Sequence, residues 1–415
     1  MNPVSLQVVP PAIVLSNGLT GLATVRGLSF GRMDLHAATR ETFDPATASR
    51  LCRSFMLRAG EASQRTECES LIDYCSALGG EPVVIPTSDA DALWLARNER
   101  LLRPHCRFSS TSLTHLLDIV SKDRLYAIAQ RLALPVVPSI TAPSLDELDQ
   151  WSLVNPAPYL LKPFYNRIVD SALRQKNLLV HSRESLLSYV AQNGSRALIV
   201  QRNIRGGDGY ILDCYGLCRA DGSPIALASH RRLRQGPADF GTTSFGEIPA
   251  ISDDGTQAKL FKYTRALLGR LSYHGIFGIE WLQHRETGEL SLIDFNARPF
   301  SSIGHLTDCG LNLPLLAYRD LTGEDLSAEA EEPVLKHLYW MDVPSDAYRS
   351  LGTGSIPKWV WLKSLLQCRS FAVWDWRDPG PWLQQTGLIV GRVLIRLRAR
   401  FAGLAGRWRI SSESH

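Results

Sequence analysis

Between Phe277 and Arg298 the chain reads FGIEWLQHRETGELSLIDFNAR, two apolar strands around a short turn whose Gly288 suits the positive φ of tight turns. A hairpin folds back on itself, so its turn dictates which residues face each other. With the turn centred on residue 287, Leu282 is expected opposite Leu292 and Glu280 opposite Asp294. Side chains alternate along a strand, so Asp294, Asn296 and Arg298 are expected on one face and Ile293, Phe295 and Ala297 on the other. Two carboxylates directly opposite one another have Cβ atoms roughly 5 Å apart and destabilise a purely structural sheet. A divalent cation offsets that repulsion. Asn296 adds a neutral oxygen on the same face, making Glu280, Asp294 and Asn296 a hard-oxygen set suited to Mg²⁺ or Mn²⁺. Arg298, next in the row, falls where an anionic phosphate or oxyanion would sit.

A chain of 415 residues is long enough to surround this hairpin with two or three domains. Hydrophobic residues at 45% and charged residues at 21% describe a soluble globular protein, neither disordered nor embedded in a bilayer. The net charge of +4 comes from six arginines between Gly387 and Ile410, a stretch without an acid; the remainder is slightly acidic, so no nucleic-acid partner is expected. Eight cysteines are scattered without a C-x-x-C or zinc-site spacing, which points to a reducing, cytoplasmic setting. The N-terminal MNPVSLQVVPPAIVLSNG has no basic residue before its apolar part and carries prolines, so no signal peptide is expected. No apolar run approaches the 18 or so residues of a spanning helix.

Three blocks are expected: 1–108, 109–325 and 326–415. In the first, the apolar runs PAIVL, MDLHAA and PVVIP alternate with helical stretches, the rhythm of a small parallel α/β layer. SNGLTG after the first strand lacks both G-x-G-x-x-G and Walker spacing and reads as a plain strand-to-helix turn. The second block opens with the helix SKDRLYAIAQRLAL, whose Leu125, Ile128 and Leu132 form an apolar stripe and which the prolines of PVVPS stop. In YLLKPF, Lys162 sits inside an apolar strand, a costly place unless it meets an anion or snorkels at the strand end. LIVQRNIRGGDGYILDCYG reads as a strand that leaves its sheet at Gly206 and Gly207 and returns. HRRLRQGPADFGTTSF reads as a basic, glycine-punctuated loop in which Arg231, Arg232 or Arg234 holds a phosphate or carboxylate, or is simply solvated.

The third block holds seven of the ten tryptophans and the tail LIVGRVLIRLRARFAGLAGRWRI. There Val390, Leu394, Leu397, Phe401 and Leu404 share a helical stripe while Arg392, Arg396 and Arg400 repeat every four residues. Such a helix fits a peripheral position on the anionic inner face of a membrane, and fits equally well packed on the protein body with its arginines solvated.

Taken in order, Lys122, Lys162, the Gln201 strand with its Gly-Gly-Asp, Glu280, and D-x-N-x-R at 294–298 resemble the ATP-grasp superfamily. IPTSD before the first lysine and HRRLRQGPADFG in the middle are similar to its carboxylate-amine ligase branch, which includes D-aspartate ligase and the pyrrolysine-pathway ligase. The resemblance covers about residues 11–325. It implies a mixed α/β and α+β architecture, a parallel N-terminal domain followed by antiparallel ATP-grasp subdomains, with the third block as an extension. It further implies that Lys122 and Lys162 bind the phosphates of ATP, that Gln201 and the backbone of Arg202 to Ile204 meet the adenine, and that Asp208 binds the ribose. Glu280, Asp294 and Asn296 become magnesium ligands, and Arg298, Arg231 and Arg232 steady an acyl phosphate. Gln201 and Asp294 both depart from the family's usual glutamate.

The activity implied joins a small-molecule carboxylate to an amine, with ATP converted to ADP and phosphate. A catalytically silent ATP-binding scaffold and a carboxylase using bicarbonate are the alternatives. Arg231 to Ser244, with Ser301, Ser302 and His305, are expected to line the acceptor side, and glycine-bearing stretches near Gly206 and Gly236 to act as lids.

Overall fold

The apolar runs of the first block form four parallel strands, β1 (Ala12–Leu15), β2 (Leu35–Thr39), β3 (Arg53–Met56) and β4 (Val83–Pro86), in the order β3-β2-β1-β4. Helices on both sides cover β1 and β2, whose residues are all buried, which is why these strands read as continuous apolar runs rather than alternating ones. The chain moves outward from β1 to β3 and then crosses back to β4, so the carboxyl ends of β1 and β4 lie side by side at a point where the strand order reverses. Loops at such a point form a crevice that sheets of this kind use for ligands. The architecture comes from a computed structural model that describes residues 9–57, 64–163, 178–195, 198–204, 207–236, 241–250 and 255–391.

A second sheet is antiparallel and small: β5 (Ser139–Thr141), β6 (Tyr159–Pro163), β7 (Leu178–Val180) and β8 (Leu198–Arg202), ordered β5-β8-β6-β7. Tyr159, Leu161 and Val200 on one face pack on the helices Leu145–Val154 and Arg183–Asn193. Leu160 pairs with Gln201, and Lys162 with Ile199, on the opposite face.

The third sheet is the centre of the molecule. It contains β9 (Ile211–Cys218), β10 (Pro224–Gly236), β11 (Thr242–Ile248), β12 (Gly275–Gln283), β13 (Leu290–Asn296), β14 (Leu338–Met341) and β15 (Ser370–Phe371), ordered β13-β12-β9-β10-β11-β14-β15. One face buries Leu212, Ile279, Trp281, Leu292 and Phe295 under the helices Leu113–Val120, Lys122–Arg131 and Thr256–Leu271. The other buries Tyr215, Ala226, Ile276 and Phe300 against Ile303–Cys309 and Leu313–Leu321 at one end, and at the other end opens toward the small sheet.

Three expectations are corrected here. The chain does not return to one sheet after Gly207: β8 belongs to the small sheet and β9 to the central one, so Gly207 lies in the connection between sheets. HRRLRQG is not a loop but the end of β10, paired with both β9 and β11, and its arginines alternate between faces. Part of the third block continues the central sheet as β14 and β15, because β11 offers an unpaired edge that Leu338–Met341 completes. The arginine-rich tail from residue 392 onward, Gly206, and residues 237–240 of the basic stretch lie outside the described residues.

Candidate active site

The small sheet faces the open end of the central sheet across a cleft of about 690 Å³, within the range of roughly 300–1,000 Å³ that small-molecule sites occupy. Lys122, Lys162, Gln201, Arg202, Ile204, Arg232, Glu280, Asp294, Asn296 and Arg298 all line it. A long separation in sequence is closed by topology: Lys162 and Gln201 come from β6 and β8, Arg232 from β10, and the acids from β12 and β13. The carboxyl ends of β1 and β4 supply a third wall through Asn17 and Thr20 of SNGLTG, read from sequence as a plain turn, and through Thr87, Ser88 and Asp89 of the IPTSD motif.

Glu280 stands opposite Asp294, as the hairpin predicts, but by a different route. Leu282 pairs with Ser291 rather than Leu292, Trp281 pairs with Leu292, and the register then shifts so that Glu280 meets Asp294. Ile293 is the extra residue of a β-bulge. It therefore turns to the cleft beside Asp294 instead of joining Phe295 and Ala297 in the core, and its carbonyl accepts a hydrogen bond from Tyr126 Oη at 2.7 Å.

Each acid already has a buried cation. Lys122, the first residue of its helix and 5% exposed, places Nζ 2.5 Å from Asp294 Oδ2. Burial works against the lysine's charge, but Asp294 outweighs it and the pKa stays above the usual lysine value. Asp294 moves the opposite way: burial would raise it, yet Lys122, with Lys162 and the Phe295 amide, holds it below the usual carboxylate value. Arg232 reaches Glu280 Oε1 at 2.8 Å while gripping Asp213 through two hydrogen bonds of 2.9 and 2.6 Å. The repulsion inferred from sequence is thus offset by Lys122 and Arg232, and a metal is not needed to explain the acid pair.

Asn296 donates Nδ2 to Glu280 Oε1 at 3.0 Å and accepts from Arg298 Nη2 through Oδ1 at 3.0 Å; Arg298 also donates to Asp89 at 3.2 Å. No group of three His, Cys, Asp or Glu able to hold a metal occurs among the described residues. The chemistry of the donors still fits magnesium. That ion binds protein through one or two carboxylates and completes its shell with water and phosphate oxygens, and Glu280 and Asp294 with the Asn296 amide supply such a set.

Behind Arg232 lies a buried network that the sequence reading missed. Asp213 Oδ2 also accepts from His230 Nδ1 at 2.7 Å and Tyr215 Oη at 3.1 Å, and Tyr215 stacks on Phe300 with ring centroids 3.5 Å apart. The sequence carries a signal for it: Asp213 shares a face with Ile211 and Tyr215 on the strand that pairs with Glu280.

Several expected positions lie elsewhere. Asp208 is not in the cleft wall; it is ion-paired with Arg349, a partner from the third block. Arg231 points to the opposite face of β10 from Arg232, where it donates to the Gly209 carbonyl at 2.7 Å and pairs with Glu247. The amides of Arg202 and Asn203 are committed to the Pro138 and Pro158 carbonyls, so they are not free to meet a base edge. Gln201 donates Nε2 to Tyr126 Oη at 3.3 Å. His305 is fully buried and faces the Leu338 carbonyl, Ser302 meets Tyr215, and Ser301 lines a separate depression; none of the three reaches the cleft. Of the basic stretch, Arg232, Gln235, Gly241 and Thr242 do.

No protein-family model and no curated protein matches the sequence. Solved structures do match. The biotin carboxylase domain of Hydrogenobacter thermophilus 2-oxoglutarate carboxylase, solved with MgADP, ADP and bicarbonate, is similar over 80% of this chain and 74% of its own, with a TM-score of 0.59 and 15% identity. N5-carboxyaminoimidazole synthase of Aspergillus clavatus, with ADP and its aminoimidazole ribonucleotide, is similar over 80% and 81%, with a TM-score of 0.59 and 13% identity. The L-amino acid ligase of Bacillus licheniformis is similar over 80% and 78%, with a TM-score of 0.61 and 14% identity. The fold is ATP-grasp. In this fold the cleft between the small sheet and the central one is where the convergent cations and acids lie.

Proposed function

We propose that the protein is an ATP-dependent carboxylate-amine ligase that forms a C–N bond and releases ADP and phosphate. The observation that carries this reading is the meeting of Lys122, Lys162, Arg232 and Arg298 with Glu280, Asp294 and Asn296 in one cleft of nucleotide size. The cations suit a triphosphate, and the paired acids with the amide suit its metal. A carboxylate is a poor electrophile, so its oxygen first attacks the γ-phosphorus of ATP and ADP departs, leaving an acyl phosphate. The amine then attacks the acyl carbon, phosphate leaves with the bonding electrons, and the nitrogen gives up its proton. Magnesium bound at Glu280, Asp294 and Asn296 would supply charge neutralisation during phosphoryl transfer.

The residues themselves position and shield. Lys122 and Lys162 face the transferring group from the helix and the small sheet, and Arg298, tethered by Asp89, is set to hold the acyl oxygens. Apolar Leu160, Leu282 and Ile293 restrict water around the reacting centre, which an acyl phosphate requires. Lys162, Gln201, Arg202 and Ile204 define the nucleotide side, with Asp208 able to serve a ribose only after release from Arg349.

The test is ADP release by the purified chain with MgATP, pooled amino acids and pooled carboxylic acids, bicarbonate included, with mass spectrometry of condensed products. The reading predicts release that depends on both an acid and an amine and falls at least 10²-fold in Glu280→Ala, the size expected for a group acting on the transition state. Turnover with bicarbonate as the only effective acid would move the assignment to a carboxylase. MgATP binding without turnover in any pool would count against an enzyme.

A further inference from the structure

Helical residues normally turn their apolar stripe inward. The helical run 380–391 buries Pro381 but leaves much of its apolar surface facing outward. Gln384, Leu388 and Gly391 lie on its partly buried side, and Gln384 Nε2 donates to Thr47 Oγ1 at 3.2 Å on the body of the protein. On the opposite side Trp382, Leu383, Ile389 and Val390 face solvent, with exposures between 39% and 59%. A second stripe repeats the pattern: on Lys358–Gln367, Trp361 and Leu365 pack inward while Trp359, Leu362 and Leu366 stand 51% to 70% exposed. Of the twenty large hydrophobic side chains exposed among the described residues, eleven lie between Tyr348 and Val390. Trp376 is 77% exposed, and Trp374 and Trp382 meet edge to face with centroids 5.3 Å apart. A concentration of this kind marks a surface that is covered in use.

Charge identifies what covers it. The sequence continues from the outward stripe with Val393, Leu394, Leu397, Phe401 and Leu404 at the same period, and with six arginines and no acid between Gly387 and Ile410. Tryptophans beside an apolar stripe and arginines match the two layers of an anionic bilayer surface: acyl boundary for the rings, headgroups for the guanidinium groups. No described helix is long and apolar enough to cross a membrane. We propose that the face formed by the outward stripe of 380–391 and its neighbouring tryptophans docks the protein on an anionic lipid surface, to which the arginines that follow in the sequence add positive charge. The ATP-grasp cleft uses none of these residues, so this proposal does not depend on the ligase reading.

The experiment is sedimentation of the full chain with vesicles of phosphatidylcholine alone or mixed with phosphatidylglycerol, at rising salt. The proposal expects binding to the mixed vesicles, little to phosphatidylcholine, and release of wild-type protein as salt increases. Arg392→Glu, Arg396→Glu and Arg400→Glu should each weaken binding by roughly fivefold or more, since one basic residue near such a surface contributes about that factor. Trp382→Ser with Leu383→Ser should also release the protein while leaving its circular dichroism unchanged. Absence of binding to mixed vesicles, or equal binding to both compositions at all salt concentrations, overturns the proposal. So does a stable dimer that persists with vesicles present and is broken by Trp382→Ser with Leu383→Ser, because a second copy would then be what covers the patch.

Discussion

Asp213 accepts hydrogen bonds from Arg232, His230 and Tyr215 without any exposed surface of its own. Burial would raise its pKa, but Arg232 and His230 outweigh that effect and bring it down to about 2. The ordinary aspartate value is near 3.9. A carboxyl whose folded-state pKa is depressed contributes stability above its ordinary value and loses it as pH falls through the folded-state value. The contribution, on the order of 2–3 kcal/mol, should therefore be complete above pH ~5 and vanish between about pH 4 and pH 2. Asp213→Asn should lower stability at neutral pH and flatten the acid limb of the wild-type curve in that window. Urea unfolding midpoints at a series of pH values check this, and an acid limb parallel to wild type would sink the assignment. The effect should reach the cleft, because the same Arg232 that grips Asp213 also holds Glu280.

At the level of elements, β10 and β11 approach so closely that a side chain would not fit between them at Gly246. A Cβ there would lie 2.4 Å from His230 Nε2 and 3.0 Å from the Arg231 carbonyl oxygen. The ring cannot easily yield, since Tyr215 stacks on it and His305 stands edge-on to it. Gly246→Ala should cost about 1–3 kcal/mol, the usual range for overpacking a filled interior. Chemical denaturation measures it, and an unchanged midpoint would show that the strands can separate.

The elements also mark how far the sequence could be read. Short apolar runs announced β1, β2 and β4, and the turn around residue 287 announced the Glu280 and Asp294 pairing. The bulge at Ile293 was not legible, because alternation assumes a regular ladder and nothing local signals one extra residue. Arg232 and Arg234 looked like loop residues since their partners, Asp213, Glu280 and Asp346, lie 19 to 112 residues away. The ion pair of Asp208 was not legible for the same reason: Arg349, which pairs with it, is 141 residues away.

Over the whole molecule, buried and half-buried ion pairs tie the third block to the first two. Arg234 meets Asp346 through two hydrogen bonds of 2.9 and 2.8 Å, and Arg349 meets Asp208. The longest tie joins ends of the chain. Asp378, with no exposed surface, accepts from Arg26 Nε at 3.1 Å, Ser49 Oγ at 2.9 Å and the Arg50 amide at 3.1 Å. Removing one partner of a buried pair leaves an uncompensated charge, at a cost of about 3–5 kcal/mol. Asp378→Ala would strand the Arg26 guanidinium beside the carbonyls of residues 373 and 378 alone. Because the third block holds seven of the ten tryptophans, its unfolding has a signal distinct from backbone circular dichroism. Fluorescence and circular dichroism should report the same urea midpoint in the wild type and separate in Asp378→Ala, fluorescence falling first as the third block detaches. If both probes shift together, Asp378 stabilises the fold as one unit and does not act as a clasp for its C-terminal part.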